Sequence, residues 1–242
     1  MKRISAYFRP ESLIEAFALL ERPGAVLIGG GTKLNRRRSS EPIEVVDLQA
    51  LGFGGVEQPD ADTLVIGATA TLQDLVETEA LPAAIRAAAR REMPSTLRAQ
   101  STVGGTIVTA DSESELLIAL LVHDAVVRIE RPEGNEELAL ETLLAQLPLT
   151  TPAIVTAITI DTRGRSSIAR TARTPADKAI VAAAARIGPD GRRRLALAGV
   201  ATTPILWGEN DDLEPPGDYR GSGEYRHALA GVLAARAIEG VS

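Results

Sequence analysis

Two glycine-rich segments limit how this chain can fold. The first glycine segment, residues 27–34, reads LIGGGTKL, and the second glycine segment, residues 101–115, reads STVGGTIVTADSESE. Adjacent glycines after an apolar run let the backbone approach a bulky group, because no Cβ stands in the way. Backbone N–H groups in such a concavity favour an anion. Two such segments in one chain therefore predict that both contact one anionic ligand.

The surroundings of the first glycine segment exclude two common nucleotide-binding motifs. It follows a short apolar run, residues 25–28, and precedes a strand-like run, residues 42–48. A GxGxxG dinucleotide turn needs a helix that opens at the glycines, and the arginine run at 36–38 makes a poor core helix. GGGTK also lacks the four-residue gap of a P-loop. The arginines could contact a pyrophosphate or a partner subunit, although most short arginine runs are solvated surface.

The rest of the chain predicts a mixture of helices and strands, so we expect an α+β fold. Ser12 with Glu15 and Thr71 with Asp74 have the spacing of capping boxes at helix starts. Further helices are predicted over residues 72–81, 83–92, 116–122, 137–146, 176–187 and 224–238, and strands over residues 63–70, 125–130, 153–161 and 195–201.

A change of composition suggests where the chain divides. Residues 161–167 are rich in Gly, Ser and Arg, and we place a boundary near residue 162. We therefore expect a domain over residues 1–161, with lobes of about 1–50 and 51–161, and a smaller α+β domain over residues 162–242.

Composition excludes several classes of function. The 242 residues include no cysteine, which rules out disulfides, thiolate catalysis and iron–sulfur ligation within the chain. The net charge of −6 argues against nucleic acid as the main partner. No apolar stretch reaches the roughly 18 residues of a membrane span, and no signal peptide follows the first two basic residues. A cytoplasmic protein is the default expectation.

Few side chains suggest catalysis. Asp111, Glu113 and Glu115 could accept hydrogen bonds from ribose hydroxyls, or they could cap the following helix, and spacing favours capping. His123 and His227 have no metal-binding pattern, and no serine elbow or HExxH motif is present. We predict no catalytic side chain and no metal site. An anion site without catalytic groups is typical of an enzyme whose cofactor carries the chemistry.

Several blocks of the sequence resemble one known family in the same order. The chain is similar to the FAD-binding medium subunit of molybdenum hydroxylases, a family that includes relatives of carbon monoxide dehydrogenase and xanthine dehydrogenase. The similar blocks are residues 25–34, 45–48, 65–69, 98–105, 197–201 and 217–222, followed by Tyr225 and Arg226. They extend over nearly the whole chain.

The resemblance implies a fold, a cofactor and partners. It implies a two-lobed PCMH-type FAD-binding domain and a C-terminal domain with an antiparallel sheet and helices. In a hetero-oligomer, a molybdopterin large subunit would pass electrons to an iron–sulfur small subunit. FAD would take the electrons from that small subunit and pass them to NAD, a quinone or oxygen. The FAD-binding residues would be Leu27, Gly29, Gly30, Gly31, Thr32, Leu34, Thr102, Gly104, Gly105, Thr106, Asp111 and Glu115.

Four positions depart from the pattern of that family. Lys33 replaces an aspartate, Thr106 replaces an asparagine, and Glu115 replaces an aspartate. Ala169 stands where a basic or aromatic side chain often lies near the flavin ring, which Arg170 could supply instead. Two alternatives to an FAD-binding subunit stay open: a subunit that keeps the fold for assembly without FAD, and a module that binds another anionic nucleotide.

Overall fold

Three sheets, each built from its own part of the chain, organise the fold. The computed structural model describes residues 4–34, 42–149, 152–208 and 212–242. The first sheet is parallel and has β3 between β1 and β2. Its elements are β1 (Ile4–Phe8), α1 (Leu13–Leu20), β2 (Ala25–Ile28) and β3 (Ile43–Asp47), followed by a 3-10 helix at Leu48–Leu51. The arginine run at 36–38 lies outside the described residues, so its predicted contacts stay a prediction.

The second sheet is antiparallel, has the order β4-β5-β8-β6-β7, and carries the helices that lead to the second glycine segment. Its strands are β4 (Val56–Glu57), β5 (Thr63–Gly67), β6 (Val126–Arg131), β7 (Gly134–Ala139) and β8 (Ile154–Asp161). The helices are α2 (Leu72–Glu77), α3 (Ala83–Glu92), α4 (Ser95–Arg98), α5 (Val103–Thr109), α6 (Glu115–Val122) and α7 (Leu140–Gln146). Every residue of α6 is buried, which makes it the central helix of the molecule.

The third sheet lies between two helices and is built largely from alanine. It is antiparallel and has the order β12-β11-β10-β9. Ala182 and Ala184 face the core that contains α6, whereas Ala183 and Ala185 belong to the core beneath α8. The elements are β9 (Arg165–Thr171), β10 (Val181–Ile187), β11 (Arg193–Ala198), β12 (Ile205–Leu206) and α8 (Gly223–Glu239).

The predicted helix over residues 176–187 is wrong, because Val181–Ile187 form strand β10. Alanine favours helices in isolation, but tertiary context overrides that preference. Here both faces of the strand are covered by helices, and small side chains let these helices approach. The helix predicted over 137–146 begins only at Leu140, since the preceding residues pair with β6 as strand β7. Strands β1 and β9 were not predicted.

The mixed helix and sheet architecture confirms the α+β fold class. The second sheet ends at Asp161 and the third begins at Arg165, at the boundary placed near residue 162. The division into separate domains stays a prediction. Among the helices of the described ranges, none combines the length and apolar character needed to cross a bilayer.

His123, at the C-terminal end of α6, connects the second and third sheets. Its ring is buried, with Nδ1 2.7 Å from the carbonyl oxygen of Asp161 and Nε2 2.9 Å from Oγ of Ser166. A neutral imidazole satisfies both contacts when Nδ1–H donates to the carbonyl and Nε2 accepts from the hydroxyl. The residue is structural, as its position after an apolar helix predicts.

We expect His123 to make the stability of the protein depend on pH. Burial lowers the pKa of His123 to about 4, against 6.5 for the exposed ring. Between these values the unfolded chain binds a proton that the folded one does not, so stability is complete above pH 6.5 and falls as the pH falls. The contribution lost at pH 5 is about 2 kcal/mol. Urea unfolding at pH 7.5 and pH 5 measures it.

Two glutamine variants test this assignment. His123→Gln removes the titrating group and should flatten the change in unfolding free energy between pH 7.5 and pH 5. His227→Gln is the matched control, because His227 is exposed, and it should keep the dependence of the unmodified protein. An unchanged pH dependence in His123→Gln would show that other groups cause it.

Candidate functional site

The structure brings the two glycine segments into direct contact. A Cβ on Gly30 would lie 1.5 Å from the carbonyl oxygen of Gln100, and one on Gly29 would lie 2.6 Å from Oγ1 of Thr102. Ser101 Oγ donates a hydrogen bond of 3.2 Å to Thr32 Oγ1. Glycine at 29 and 30 is therefore required for this backbone approach, and the two segments form one surface.

The first glycine segment presents backbone donors at that surface that have no hydrogen-bond partner among the described residues. The N–H groups of Gly30, Gly31, Thr32 and Lys33 donate to no other residue within the described ranges. Gly31 has φ of 71°, and its carbonyl accepts from the Leu34 N–H at 3.3 Å, which closes the turn. Consecutive half-buried N–H groups in a turn form a concavity for an anion. Leu27 lies in β2, which leads into the loop, and packs against the core cluster that contains Val46 and Leu48.

The second glycine segment is helical, which corrects the prediction of a second glycine loop with free donors. Gly104 and Gly105 lie in the first turn of α5, and Thr102 is its N-cap. The N–H of Gly105 donates to Thr102 Oγ1 at 3.2 Å, and those of Val103 and Gly104 donate to the carbonyls of Ala70 and Ala68. These three donors are thus already used inside the protein.

The glycines and the threonine of α5 have a packing role. A Cβ on Gly104 would lie 2.9 Å from both Cβ and the carbonyl oxygen of Ala68, so glycine allows α5 to rest on the end of β5. Thr106 is buried, and its hydroxyl donates to the Thr102 carbonyl at 3.1 Å. Gly105 is exposed and leaves the start of α5 open. The hydroxyl of Thr106 is therefore already satisfied within the helix.

Asp111 connects the first glycine segment to the part of the chain that contains the third sheet and α8, the third-sheet part of the chain. Its Oδ2 lies 3.3 Å from Nζ of Lys33 and 2.6 Å from Nζ of Lys178. Burial disfavours the carboxylate, but the two ammonium groups outweigh it and hold the pKa of Asp111 below its ordinary value. Asp111 is therefore charged at neutral pH and already held by two cations.

Glu115 is the first residue of α6 and is almost fully buried between two arginines. Its carboxylate lies 2.6 Å from Nε of Arg91 and 2.7 Å from Nε of Arg170. The capping role belongs to Ser114, whose Oγ accepts from the backbone of Leu117. The expectation that the acids cap this helix is therefore wrong for Glu115.

The predicted acids form one row of ion pairs to the third-sheet part of the chain. Asp111 pairs with Lys178, Glu113 with Arg220, and Glu115 with Arg170. Sequence reasoning singled out the acids but missed their pairing with these cations, which lie 55 to 107 residues later in the chain. Their alternation at 111, 113 and 115 is the one sequence signal that could have suggested a shared partner.

Arg170, which could have supplied the side chain that Ala169 lacks, is held by other groups. Besides Glu115, its guanidinium donates to the carbonyls of Pro175 and Asp177. No cluster of three or more His, Asp or Glu side chains suited to a metal ion occurs in the part of the chain that the structure describes.

A separate cavity of about 470 Å³ lies at the other end of α6. Its walls include Asp124, Asp161 and Arg186, which form ion pairs with one another. None of the predicted site residues lines it, so it is not part of the glycine surface.

Comparison with known proteins points to one family. Residues 2–161 match the family described as FAD binding domain in molybdopterin dehydrogenase. The chain is 33% identical to the uncharacterized protein YgfM of Escherichia coli K12, over 96% of this chain and 94% of the other. It is 28% identical to the carbon monoxide dehydrogenase medium chain of Afipia carboxidovorans, over 96% and 95%. Reconstituted CO dehydrogenase from Oligotropha carboxidovorans has a similar structure, with a TM-score of 0.86, 25% identity and coverage of 100% and 98%.

Proposed function

The chain belongs to the family of FAD-binding domains in molybdopterin dehydrogenases, and from this premise we propose that it relays electrons through FAD between the subunits of a molybdenum hydroxylase-type complex. FAD is its cofactor, and the chain is a flavoprotein subunit of an oxidoreductase. FAD, when bound, supplies the chemistry by accepting and passing on electrons.

The row of unpaired N–H groups carries the proposal. A diphosphate is an anion with many acceptor oxygens, and the donors of Gly30, Gly31, Thr32 and Lys33 have no other described partner. The contact of Gly30 with the Gln100 carbonyl holds this loop at a fixed depth, because no side chain intervenes. These residues fit the diphosphate of FAD, and they would hold it through backbone rather than side-chain groups.

The other predicted site residues would act by shaping this surface. Thr102, Gly104 and Thr106 would set the position of α5 beside the loop, with Gly105 leaving the surface open. Leu27 and Leu34 would support the loop at its two ends, as the end of β2 and the turn to Gly31 indicate.

Asp111 and Glu115 enter the proposal as positioning residues. Each is held by two cations, so neither carboxylate is unpaired within the described structure. Their ion pairs would fix the third-sheet part of the chain against the glycine surface.

The partners are proposed from the family to which the chain belongs, and the composition of the chain is compatible with them. It has no cysteine, so an iron–sulfur cluster held by thiolates must belong to another chain. We propose an iron–sulfur small subunit as the electron donor and a molybdopterin large subunit as the place where substrate is oxidised. The acceptor after FAD would be NAD, a quinone or oxygen. No residue of this chain is proposed to react with the substrate of the complex.

Addition of FAD to the purified protein tests the proposal. We expect bound flavin, with an absorbance band near roughly 450 nm that stays with the protein on a desalting column. Because FAD binds only the folded chain, it should stabilise folding by about 2.7 kcal/mol at a concentration of 100 times its Kd.

The alternatives give different results in the same assay. A protein that stays colourless and does not melt at a higher temperature with excess FAD would be the assembly subunit instead. A thermal shift with ADP or NAD but none with FAD would identify a module for another nucleotide. Either outcome would overturn the relay function.

A further inference from the structure

Lys33 places a positive charge next to the row of unpaired N–H groups. Its own backbone N–H belongs to that row, and its side chain is about a quarter exposed. The Nζ lies 3.3 Å from Asp111 Oδ2, which is the longer of the two ion pairs made by that oxygen. The Lys33 ammonium is therefore held, but less closely than its neighbour.

Asp111 does not need Lys33 for its charge to be balanced. Lys178 Nζ lies at 2.6 Å from the same oxygen and makes a hydrogen bond to it. The Lys33 ammonium therefore shares the Asp111 carboxylate with Lys178 instead of being its sole partner. It belongs to the same segment as the N–H groups of Gly30, Gly31 and Thr32, which have no hydrogen-bond partner among the described residues.

We propose that Lys33 is a side-chain ligand of the FAD diphosphate, held by Asp111 until the cofactor binds. On binding, the ammonium exchanges the Asp111 carboxylate for a phosphate oxygen, and Lys178 keeps Asp111 neutralised. The flexible four-carbon stem of lysine permits this exchange without movement of the backbone. The inference rests on the proposed FAD site and deepens it. It means that Lys33, which replaces an aspartate of the similar family, strengthens FAD binding.

A purely structural role is the competing explanation. In that case Lys33 would only connect the first glycine segment to Asp111, and its removal would loosen the loop. Both roles predict weaker FAD binding by Lys33→Met. They differ in what happens when Asp111 is absent, because a structural link acts only through its partner, whereas a diphosphate ligand acts without it.

Dissociation constants for FAD and riboflavin, measured by flavin fluorescence, test the proposal on the full chain. Lys33→Met should raise the Kd for FAD about tenfold, the loss of one charge-assisted hydrogen bond. The Kd for riboflavin, which lacks the diphosphate, should stay as it is. Lys33→Arg keeps the charge and should bind FAD nearly as the unmodified protein does. The salt dependence of FAD binding should weaken in Lys33→Met.

Asp111→Asn completes a double-mutant cycle. It removes the ion pair that holds Lys33, so the effect of Lys33→Met on FAD binding is then measured without that link. Lys33→Met should still cost about tenfold or more in the Asp111→Asn background. If that cost disappears there, or if riboflavin binding falls in parallel with FAD binding, Lys33 is a structural link and the inference is overturned.

The outcome for the proposed function is separate. If the unmodified protein does not bind FAD, the proposed function fails and the inference fails with it. If the unmodified protein and Lys33→Met bind FAD equally, only the inference fails.

Discussion

Gly30→Ala is expected to weaken FAD binding by about a hundredfold or more, the loss of at least two charge-assisted hydrogen bonds. The added Cβ would lie 1.5 Å from the Gln100 carbonyl oxygen and 2.5 Å from its carbon. Both belong to the backbone, so no side-chain rotation relieves the overlap. The loop must move away from the segment before α5, and the N–H groups that follow Gly30 move with it. Equilibrium titration with FAD measures the effect.

A glycine elsewhere in the chain provides the control. Gly231 lies on the exposed face of α8, and no heavy atom lies within 4 Å of a Cβ added there. Gly231→Ala should therefore bind FAD normally and gain up to about 1 kcal/mol in unfolding free energy from helix propensity. If Gly30→Ala binds FAD as tightly as Gly231→Ala, the diphosphate does not lie on this loop.

Glu115→Gln should lower the unfolding free energy by about 3 kcal/mol, because the buried acid that pairs with both Arg91 and Arg170 loses its charge. The amide can accept from one arginine through its oxygen, but its NH₂ group faces the other guanidinium. Arg91 and Arg170 then carry charges with no anion between them. For a chain of this size, the melting temperature should fall by about 6–12 °C. Thermal and urea unfolding give the two values.

Two further variants show whether the loss of stability comes from the burial of the ion pair or from the loss of a charge alone. Glu44→Gln breaks the exposed pair with Arg22 and should leave the melting temperature nearly unchanged, since exposed ion pairs contribute little. Glu115→Asp keeps the charge but shortens the reach by one methylene, so it should fall between the other two variants. An unchanged melting temperature in Glu115→Gln would mean that the ion pairs with Arg91 and Arg170 do not stabilise the fold.

Features whose cause lies within a few residues could be predicted from the sequence. The capping box of Thr71 and Asp74 is present with both of its hydrogen bonds, and the helix it starts follows at once. Helix α8 was predicted to within one residue at each end, because its amphipathic pattern is a local signal.

The errors occurred where distant parts of the chain decide. Strand β10 has the composition of a helix, and only the helices on its two faces explain why it is extended. The glycine pair in α5 was interpreted as a ligand loop, yet Gly104 is needed to contact Ala68, a residue 36 positions earlier. Similarly, Glu115 could be noticed as an acid, but no pattern in the sequence connects it to Arg170.

The alanine strand at the centre of the third sheet also limits how this part of the protein can change during evolution. A buried alanine has only one methyl group to lose, so truncation at Ala183 or Ala184 removes almost no contact area. Any larger residue, by contrast, must push α6 or α8 outward and strain a densely packed layer. These alanine positions therefore tolerate substitution by a smaller residue but not by a larger one. During evolution they should hold only the smallest side chains, whereas the leucine positions of α6 should accept other large apolar residues more readily.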